Sequence, residues 1–154
     1  MLHVGDLAPN FTLRDEHGKV ITLAAYQGVH PVVLVFYPGD ETPICTAQLC
    51  TIRDDYAHYA KAGAVVFGIN PANSLSHQRF AERYQFPFRL LVDHDLHVAS
   101  QYGAIFGFSA LRVTQRTVYV IGKDGRINFA QPGVPSTALI LQAIRSSRLE
   151  RAIG

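Results

Sequence analysis

The residues of this chain that could do chemistry at neutral pH are concentrated around its first cysteine. The chain holds two cysteines, Cys45 and Cys50, and Cys45 closes the segment 38–45, whose sequence is Pro-Gly-Asp-Glu-Thr-Pro-Ile-Cys. A thiolate is a good nucleophile, but a thiol of ordinary pKa, about 8.5, is only a few per cent ionised at neutral pH. A reactive role for Cys45 therefore requires surroundings that stabilise the thiolate.

The local sequence predicts that Cys45 lies in the first turn of a helix. Thr42 is a favourable N-cap residue, and Pro43 suits the first helical position, where the missing N–H costs nothing. Cys45 then occupies N3, where backbone N–H groups have no helical partner and the helix dipole is positive. The helix end stabilises a thiolate by about 0.3–2 kcal/mol. Ionising most of a thiol at neutral pH requires its pKa to fall by about two units, and each unit corresponds to roughly 1.4 kcal/mol. A nearby cation is therefore needed as well.

Cys45 also fits an inert position in the core. The residues at 45, 49, 52, 56 and 59 are Cys, Leu, Ile, Tyr and Tyr, and this spacing forms the apolar stripe of a helix. Free cysteine is common as a small buried hydrophobic residue. Periodicity alone leaves the catalytic and the structural interpretation equally open. The Thr-Pro-X-Cys helix start after a buried strand favours the catalytic one.

Alternating strands and helices position this segment. We predict an N-terminal hairpin from residues 11–13 and 20–23, strands at 32–36, 64–69, 89–92, 117–121 and 126–130, and helices at 43–62, 73–84, 95–102 and 137–148. In the helix 95–102, Asp95 is the expected cap and Gly103 the expected stop. This order predicts an α/β fold with a mixed central sheet flanked by helices and an N-terminal β-hairpin extension. The segment 38–45 follows a strand, where sites form in open α/β sheets.

Length, charge and cysteine count exclude several classes of protein. We expect one domain spanning residues 1–154. A net charge of +2 argues against nucleic acid as a partner, and the longest apolar run, residues 32–37, is too short to cross a membrane. Two cysteines exclude a disulfide framework and a cysteine-built zinc site. No secretory signal is visible, so we predict a cytoplasmic location, where paired cysteines are more often catalytic than structural.

Two other groups of polar residues have structural interpretations. His94 and His97 have a spacing that could bind a metal, but no third ligand is evident and surface positions are favoured. Arg145, Arg148 and Arg151 are expected on a solvated helix face near the C-terminus, where cations suit the helix dipole. We therefore expect no metal and no cofactor.

Residues 37–46 resemble the active-site loop of the peroxiredoxins, whose pattern is Pro, three residues, Thr or Ser, two residues, Cys. Residues 5–13 resemble the opening of that family, and residues 116–127 resemble its later strand pair. Because Cys50 follows Cys45 by five residues in the same predicted helix, the chain is most similar to the bacterioferritin comigratory protein/PrxQ subfamily. The resemblance implies a thioredoxin-like fold with an N-terminal extension.

The resemblance also implies a role for each residue that matches the pattern. Cys45 would be the peroxidatic nucleophile, which attacks a hydroperoxide and becomes a sulfenic acid. Thr42 would hydrogen-bond the thiolate and the peroxide, and Pro38 would shield the pocket. Arg116 would be the required cation, which stabilises the thiolate and orients the substrate. Cys50 would be the resolving thiol.

The implied function is a thiol-dependent peroxidase that reduces hydrogen peroxide and organic hydroperoxides. The resemblance implies an intramolecular disulfide, the atypical 2-Cys mechanism, and recycling by thioredoxin or a similar dithiol. We expect a monomer or weak dimer with no nucleic-acid or membrane partner. Two alternatives stay open: a non-catalytic redox sensor or holdase on the same scaffold, and a thiol-disulfide oxidoreductase. The second is disfavoured because four residues, rather than two, separate the cysteines.

Residues 104–111 are more apolar than the polar loop expected at this place in the family. Packing against the core is the favoured explanation, and an apolar rim for organic hydroperoxides or an interface is the alternative. Arg112, which follows this segment, is a weaker candidate than Arg116 for the catalytic cation.

Overall fold

A computed structural model describes residues 1–153, with side chains described through residue 146. The strands in this range are β1 (Thr12–Asp15), β2 (Val20–Thr22), β3 (Val32–Phe36), β4 (Val65–Asn70), β5 (Arg89–Val92), β6 (Ile105–Phe106), β7 (Val113–Thr114), β8 (Thr117–Ile121) and β9 (Ile127–Pro132). The helices are α1 (Pro43–Asp54), α2 (Tyr56–Lys61), α3 (Ser74–Tyr84), α4 (His97–Gln101) and α5 (Thr137–Ile153).

Seven of these strands form one mixed sheet in the order β2-β1-β5-β4-β3-β8-β9. Strands β3, β4 and β5 run parallel, and β8 and β9 extend the sheet antiparallel from β3. The hairpin β1–β2 joins the other edge, where β1 pairs antiparallel with β5. The predicted α/β fold, with a mixed sheet flanked by helices and an N-terminal hairpin extension, is confirmed.

The central strand β3 is buried along its whole length, as its uninterrupted β-branched and aromatic sequence predicts. Its side chains alternate between two cores. Val33 and Val35 pack in the cluster that contains Cys45 and Leu49 of α1. The side chains at 32, 34 and 36 pack in the cluster on the opposite face, which includes Tyr102. The helix that carries both cysteines is therefore held against one face of the sheet.

Two predicted helices differ in detail from the observed ones. The helix expected at 43–62 is divided at Asp55, whose φ of −95° and ψ of 6° separate α1 from α2. The Asp55 carboxylate accepts a hydrogen bond of 2.6 Å from the Thr137 hydroxyl. This hydrogen bond to the start of α5 is a long-range contact, which local sequence patterns do not predict.

The predicted cap of the helix at 95–102 is wrong. Asp95 has a φ of 57° inside a 3₁₀ turn and does not cap. The N-cap residue is Leu96, and the buried carboxylate of Asp93 accepts the free backbone N–H groups of Val98 at 2.8 Å and Ala99 at 2.9 Å. Burial raises the pKa of Asp93 above its ordinary value, although these two hydrogen bonds oppose that effect. Gly103 ends the helix as predicted, with a φ of +67°.

The prediction that residues 104–111 pack against the core is confirmed only at the start of the segment, where Ile105 packs against the core, and is wrong for the large side chains after it. Ala104 is buried, but Phe106, Phe108 and Leu111 are 69%, 87% and 84% exposed. The reason is topological, because β6 pairs with β7 in a separate two-stranded ribbon outside the main sheet. One face of that ribbon therefore has no layer of the fold against it.

The histidines and arginines considered in the sequence lie mostly at the surface. His94 and His97 are exposed, and His94 pairs with exposed Asp95 at 3.3 Å. Within the described residues no group of three or more His, Cys, Asp or Glu side chains is placed to hold a metal ion. Arg145 is exposed, and the side chains of Arg148 and Arg151 lie outside the described residues. The helices of residues 1–153 include none with the length and hydropathy of a membrane span.

Candidate active site

The start of α1 has the geometry that the sequence predicts. Thr42 is the N-cap, with an extended φ of −76° and ψ of 150°, and Pro43 occupies the first helical position. Cys45 is therefore at N3. The Thr42 side chain does not cap the helix, however, because its hydroxyl donates to the carbonyl of Gly39 at 3.2 Å. Thr42 is exposed, so its hydroxyl is available to a small molecule that reaches the helix start.

The structure brings Arg116 to the predicted nucleophile. Nη1 of Arg116 donates to Sγ of Cys45 at 3.4 Å, and Cys45 is fully buried. The two residues are 71 positions apart, and the sheet joins them. In the register between β3 and β8, Phe36 lies opposite Thr117, so Arg116 precedes β8 beside the point where β3 ends. The Cys45 sulfur therefore has a charged hydrogen-bond donor beside it.

Gln48 is a site residue that the sequence analysis missed. Nη1 of Arg116 also donates to Oε1 of Gln48 at 3.0 Å, and Gln48 is only 4% exposed. Gln48 lies one helical turn after Cys45, so both face the guanidinium. One feature of the sequence indicated Gln48, which is a polar residue next to the apolar stripe of the helix. Gln48 fixes the position of Arg116 without adding a charge.

A second buried polar cluster lies at the other end of the same loop and was also missed. Four side chains donate to the carboxylate of Asp40: the Tyr37 hydroxyl at 2.7 Å, Asn70 Nδ2 at 3.0 Å, the Ser76 hydroxyl at 2.7 Å and His77 Nδ1 at 2.7 Å. Burial raises the pKa of Asp40, but the hydrogen bonds and the His77 charge outweigh burial, so the pKa lies below its ordinary value. We refer to these five residues as the Asp40 cluster.

Tyr37 connects the Asp40 cluster to the core around Cys45. Its side chain is fully buried and packs in the cluster of apolar residues that contains Cys45. Burial, followed by the charge of Asp40, raises the pKa of Tyr37 well above its ordinary value, and the charge of Cys45 adds to the effect. Tyr37 is therefore a neutral hydrogen-bond donor at every physiological pH.

The backbone between the two polar groups is strained at Glu41. This residue has a φ of 59°, in the left-handed region that costs a residue with a Cβ atom about 1–2 kcal/mol. Its side chain pairs with Arg83 of α3 at 3.1 Å, but both partners are well exposed, so this ion pair contributes little. The strained residue stands between Asp40 and Thr42, so the contacts on either side of it must hold the loop in shape.

The remaining predicted residues make no side-chain hydrogen bond to Cys45 in the part of the chain that the structure describes. Cys50 is half-buried on α1, and both cysteines are free thiols. Five residues along an α-helix separate Cα atoms by about 8–9 Å, beyond the reach of about 7 Å for a disulfide. Pro38 is exposed on the loop after β3, and Arg112 is exposed, with its Nε donating to the carbonyl of Ser109 at 3.2 Å. The cation at Cys45 is thus Arg116 and not Arg112.

Comparisons with known proteins all lead to one group. A family model described as the AhpC/TSA family matches residues 4–130. The chain is 44% identical over 128 residues to chloroplastic peroxiredoxin Q of Triticum aestivum, covering 81% of this chain and 57% of the relative. It is 39% identical over 151 residues to chloroplastic peroxiredoxin Q of Sedum lineare, covering 92% of this chain and 78% of the relative. The chain thus spans only 57% of the length of the wheat relative.

A solved structure matches the whole fold. The crystal structure of peroxidoxin BcpB from Mycobacterium tuberculosis superposes with a TM-score of 0.88 at 30% identity, covering 95% of this chain and 98% of that chain. The two chains therefore share the same fold over nearly their whole length.

The predicted cytoplasmic location is contradicted by these comparisons. The peroxiredoxin Q relatives from wheat, Sedum and Arabidopsis are named as chloroplastic proteins and not as cytoplasmic ones. The prediction rested on two cysteines and on the residues that open the sequence. A pair of thiols requires only a compartment that supplies a dithiol reductant, so a cysteine count does not separate one reducing compartment from another.

Proposed function

The chain belongs to the AhpC/TSA family of peroxiredoxins, and from this premise we propose that it is a thiol-dependent peroxidase with Cys45 as its nucleophile. One observation supports the assignment above the others, the guanidinium of Arg116 at 3.4 Å from the Cys45 sulfur. Core packing alone does not account for a half-buried guanidinium that donates to a fully buried sulfur, because removing a cation from water even in part has a cost that a thiolate partner offsets. The positive end of α1 acts on the same sulfur.

In the first step the Cys45 thiolate attacks one oxygen of the hydroperoxide. A sulfur–oxygen bond forms, the oxygen–oxygen bond breaks, and the departing alkoxide or hydroxide takes up a proton and leaves as alcohol or water. Cys45 is oxidised to a sulfenic acid. Arg116 stabilises the thiolate and the negative charge that develops on the peroxide oxygens. Thr42, whose hydroxyl is exposed at the helix start, donates to or accepts from the peroxide.

Pro38 has a different role in this proposal. It is an exposed residue that fixes the backbone between the end of β3 and the loop of the Asp40 cluster. From this position it limits the access of bulk water to the helix start, because its ring occupies space without offering a hydrogen bond.

The second step forms a disulfide within the chain. The Cys50 thiolate attacks the sulfenic sulfur of Cys45, a sulfur–sulfur bond forms, and hydroxide leaves and is protonated to water. Because an intact helix keeps the two Cα atoms too far apart, the first turns of α1 must unwind before this bond can form. The unwound segment also presents the disulfide to an external reductant.

A thioredoxin-type dithiol completes the cycle by exchange, which returns both cysteines to thiols and leaves the reductant as a disulfide. The intramolecular disulfide makes this an atypical 2-Cys mechanism. Hydrogen peroxide and organic hydroperoxides share the oxygen–oxygen bond that the mechanism breaks, so both are substrates in this proposal.

A coupled assay tests the proposal. Purified protein is mixed with thioredoxin, thioredoxin reductase, NADPH and a hydroperoxide, and NADPH consumption is followed. We expect turnover by the wild-type chain, none by Cys45→Ser, and a single oxidation without turnover by Cys50→Ser. If the wild-type chain consumes no peroxide, the assignment as a peroxidase is wrong. Disulfide reduction in a model substrate without peroxide consumption would instead indicate a thiol-disulfide oxidoreductase.

A further inference from the structure

The Asp40 cluster holds a pair of opposite charges inside the protein. The side chains of His77 and Asp40 are 0% and 4% exposed, and His77 Nδ1 lies 2.7 Å from Asp40 Oδ2. The other ring nitrogen of His77, Nε2, lies 2.9 Å from the carbonyl oxygen of Leu91. A carbonyl oxygen only accepts hydrogen bonds, so Nε2 carries a proton. An ionised carboxylate also only accepts, so Nδ1 carries one too, and His77 is an imidazolium paired with the Asp40 carboxylate.

The cluster ties the active-site loop to three elements of the fold. Tyr37 follows β3, Asn70 ends β4, and Ser76 and His77 belong to α3, and all four donate to one carboxylate. Hydrogen bonds to an ionised group are about twice as strong as those between neutral groups. Asp40 is therefore the most firmly held residue of the loop between β3 and α1.

A short stretch of chain connects Asp40, the anchor of the loop, to the nucleophile Cys45. Glu41, with its left-handed φ of 59°, follows Asp40 directly, and the N-cap Thr42 follows Glu41. If the anchor were released, Glu41 would relax towards an ordinary φ, and Thr42 would move with it. The exposed Glu41–Arg83 ion pair is too weak to prevent this.

We propose that the buried Asp40–His77 ion pair is a positioning device, which holds the loop so that the Thr42 hydroxyl and the first turn of α1 meet the peroxide correctly. The inference rests on the proposed function, because it concerns the reaction of peroxide at Cys45. Neither residue contacts the Cys45 sulfur, so both act through the loop.

Asp40→Asn is the variant that tests this role. Asn has the shape of Asp, and its Nδ2 can donate to His77 Nδ1 while Nε2 still donates to the carbonyl of Leu91. His77 is then neutral, so the net charge of the pair is zero before and after the change. A loss in the peroxide reaction is assigned to a moved loop where the reactivity of the thiolate, measured separately, is unchanged.

Two rates are measured on each variant at a temperature where thermal melting shows it to be folded. The first is the second-order rate constant for one oxidation of Cys45 by hydrogen peroxide, and the second is the rate of alkylation by iodoacetamide, which requires a thiolate but no peroxide geometry. We expect Asp40→Asn to lower the first at least tenfold and the second less than threefold. Asp95→Asn, in the exposed pair with His94, is the matched control and should change neither.

Ser76→Ala removes one donor to Asp40 without disturbing a charge, so it serves if Asp40→Asn does not fold, and we expect its peroxide rate to fall two- to fivefold. A peroxide rate within twofold of wild type in folded Asp40→Asn, or an unchanged rate in Ser76→Ala, would overturn the inference. So would an equal loss in both rates, which would indicate a changed thiolate rather than a moved loop. A wild-type chain that does not react with peroxide would overturn the proposed function itself.

Discussion

Oxidation by one equivalent of peroxide is predicted to unwind the N-terminal part of α1. In the reduced protein, Cys45 and Leu49 are fully buried on this helix, and Arg116 donates to the Cys45 sulfur. Unwinding exposes Leu49, at a cost of about 1.5–3 kcal/mol. It also breaks the charge-assisted contact to Cys45, at about 1.5–3 kcal/mol. Together these terms amount to roughly 3–6 kcal/mol, so the unwound form makes up roughly one part in 10² to 10⁴ of the reduced protein.

In the disulfide form the unwound state of the helix start is favoured instead, because the disulfide cannot form in an intact helix. Amide hydrogen exchange read by mass spectrometry measures the change. In the reduced protein, the amides of residues 46–53 should exchange roughly 10²- to 10⁴-fold more slowly than in an unfolded peptide, and oxidation should remove most of that protection. The fully buried strand β3 is the internal control and should stay protected in both forms.

Two results would refute this reasoning. If the oxidised protein kept full protection over residues 46–53, Cys50 would not be the resolving residue, and the partner thiol would belong to another molecule. If β3 lost protection as well, oxidation would unfold the domain as a whole rather than one helix end. Cys50→Ser, oxidised in parallel, should keep the helix protected because it forms no internal disulfide.

Three further predictions follow from the site. Arg116→Met should slow the oxidation of Cys45 by hydrogen peroxide roughly ten- to a hundredfold, since a charge-assisted hydrogen bond such as that to Sγ contributes about 1.5–3 kcal/mol; Arg112→Met should leave the rate unchanged, and the reverse result would show that Arg112 is the cation. Thr42→Val should slow peroxide oxidation of Cys45 about two- to tenfold and change the thermal midpoint little, because the Thr42 hydroxyl makes an exposed hydrogen bond to Gly39 and does not cap α1; a loss of stability with an unchanged rate would contradict a role of this hydroxyl toward peroxide. The pKa of Asp40 is lower in the folded protein than in the unfolded chain, where it is about 3.9, so its ionised form stabilises the fold above that pH and the stabilisation is lost as pH falls through the folded pKa. The difference in unfolding free energy between wild type and Asp40→Asn should therefore shrink below about pH 4. A difference that stays constant with pH would contradict the ion pair.

Local sequence patterns predicted the features that depend on neighbouring residues. The Thr42-Pro43 pair located the helix start, and the β-branched run at 32–36 located the central strand. The peroxiredoxin resemblance and the thioredoxin-like architecture that it implies are confirmed by the comparisons. The caps and breaks that depend on tertiary contacts were not predictable in the same way. The division of the first helix at Asp55 rests on its hydrogen bond to Thr137, 82 positions away.

The polar networks of the site were beyond the reach of sequence patterns for the same physical reason. Asp40 meets Ser76 and His77 across 36 and 37 positions, and only the packing of α3 on the sheet joins them. Arg116 was predicted from the resemblance alone, because the sequence around residue 116 contains no pattern that indicates a contact with residue 45. The exposure of Phe108 could not be foreseen either, since an apolar segment in a sequence gives no indication of whether a layer of structure covers it.

The central claim, that Cys45 is the peroxide-reactive nucleophile, is tested most directly by comparing the two single-cysteine variants in one reaction. Each is reduced, freed of reductant and mixed with hydrogen peroxide, and its second-order rate constant is measured by competition with a haem peroxidase. Cys50→Ser, which keeps Cys45 beside Arg116, should react with one equivalent at the wild-type rate. Cys45→Ser, which keeps only the half-buried Cys50, should react no faster than free cysteine. A wild-type rate in Cys45→Ser, or the rate of free cysteine in Cys50→Ser, would contradict the account.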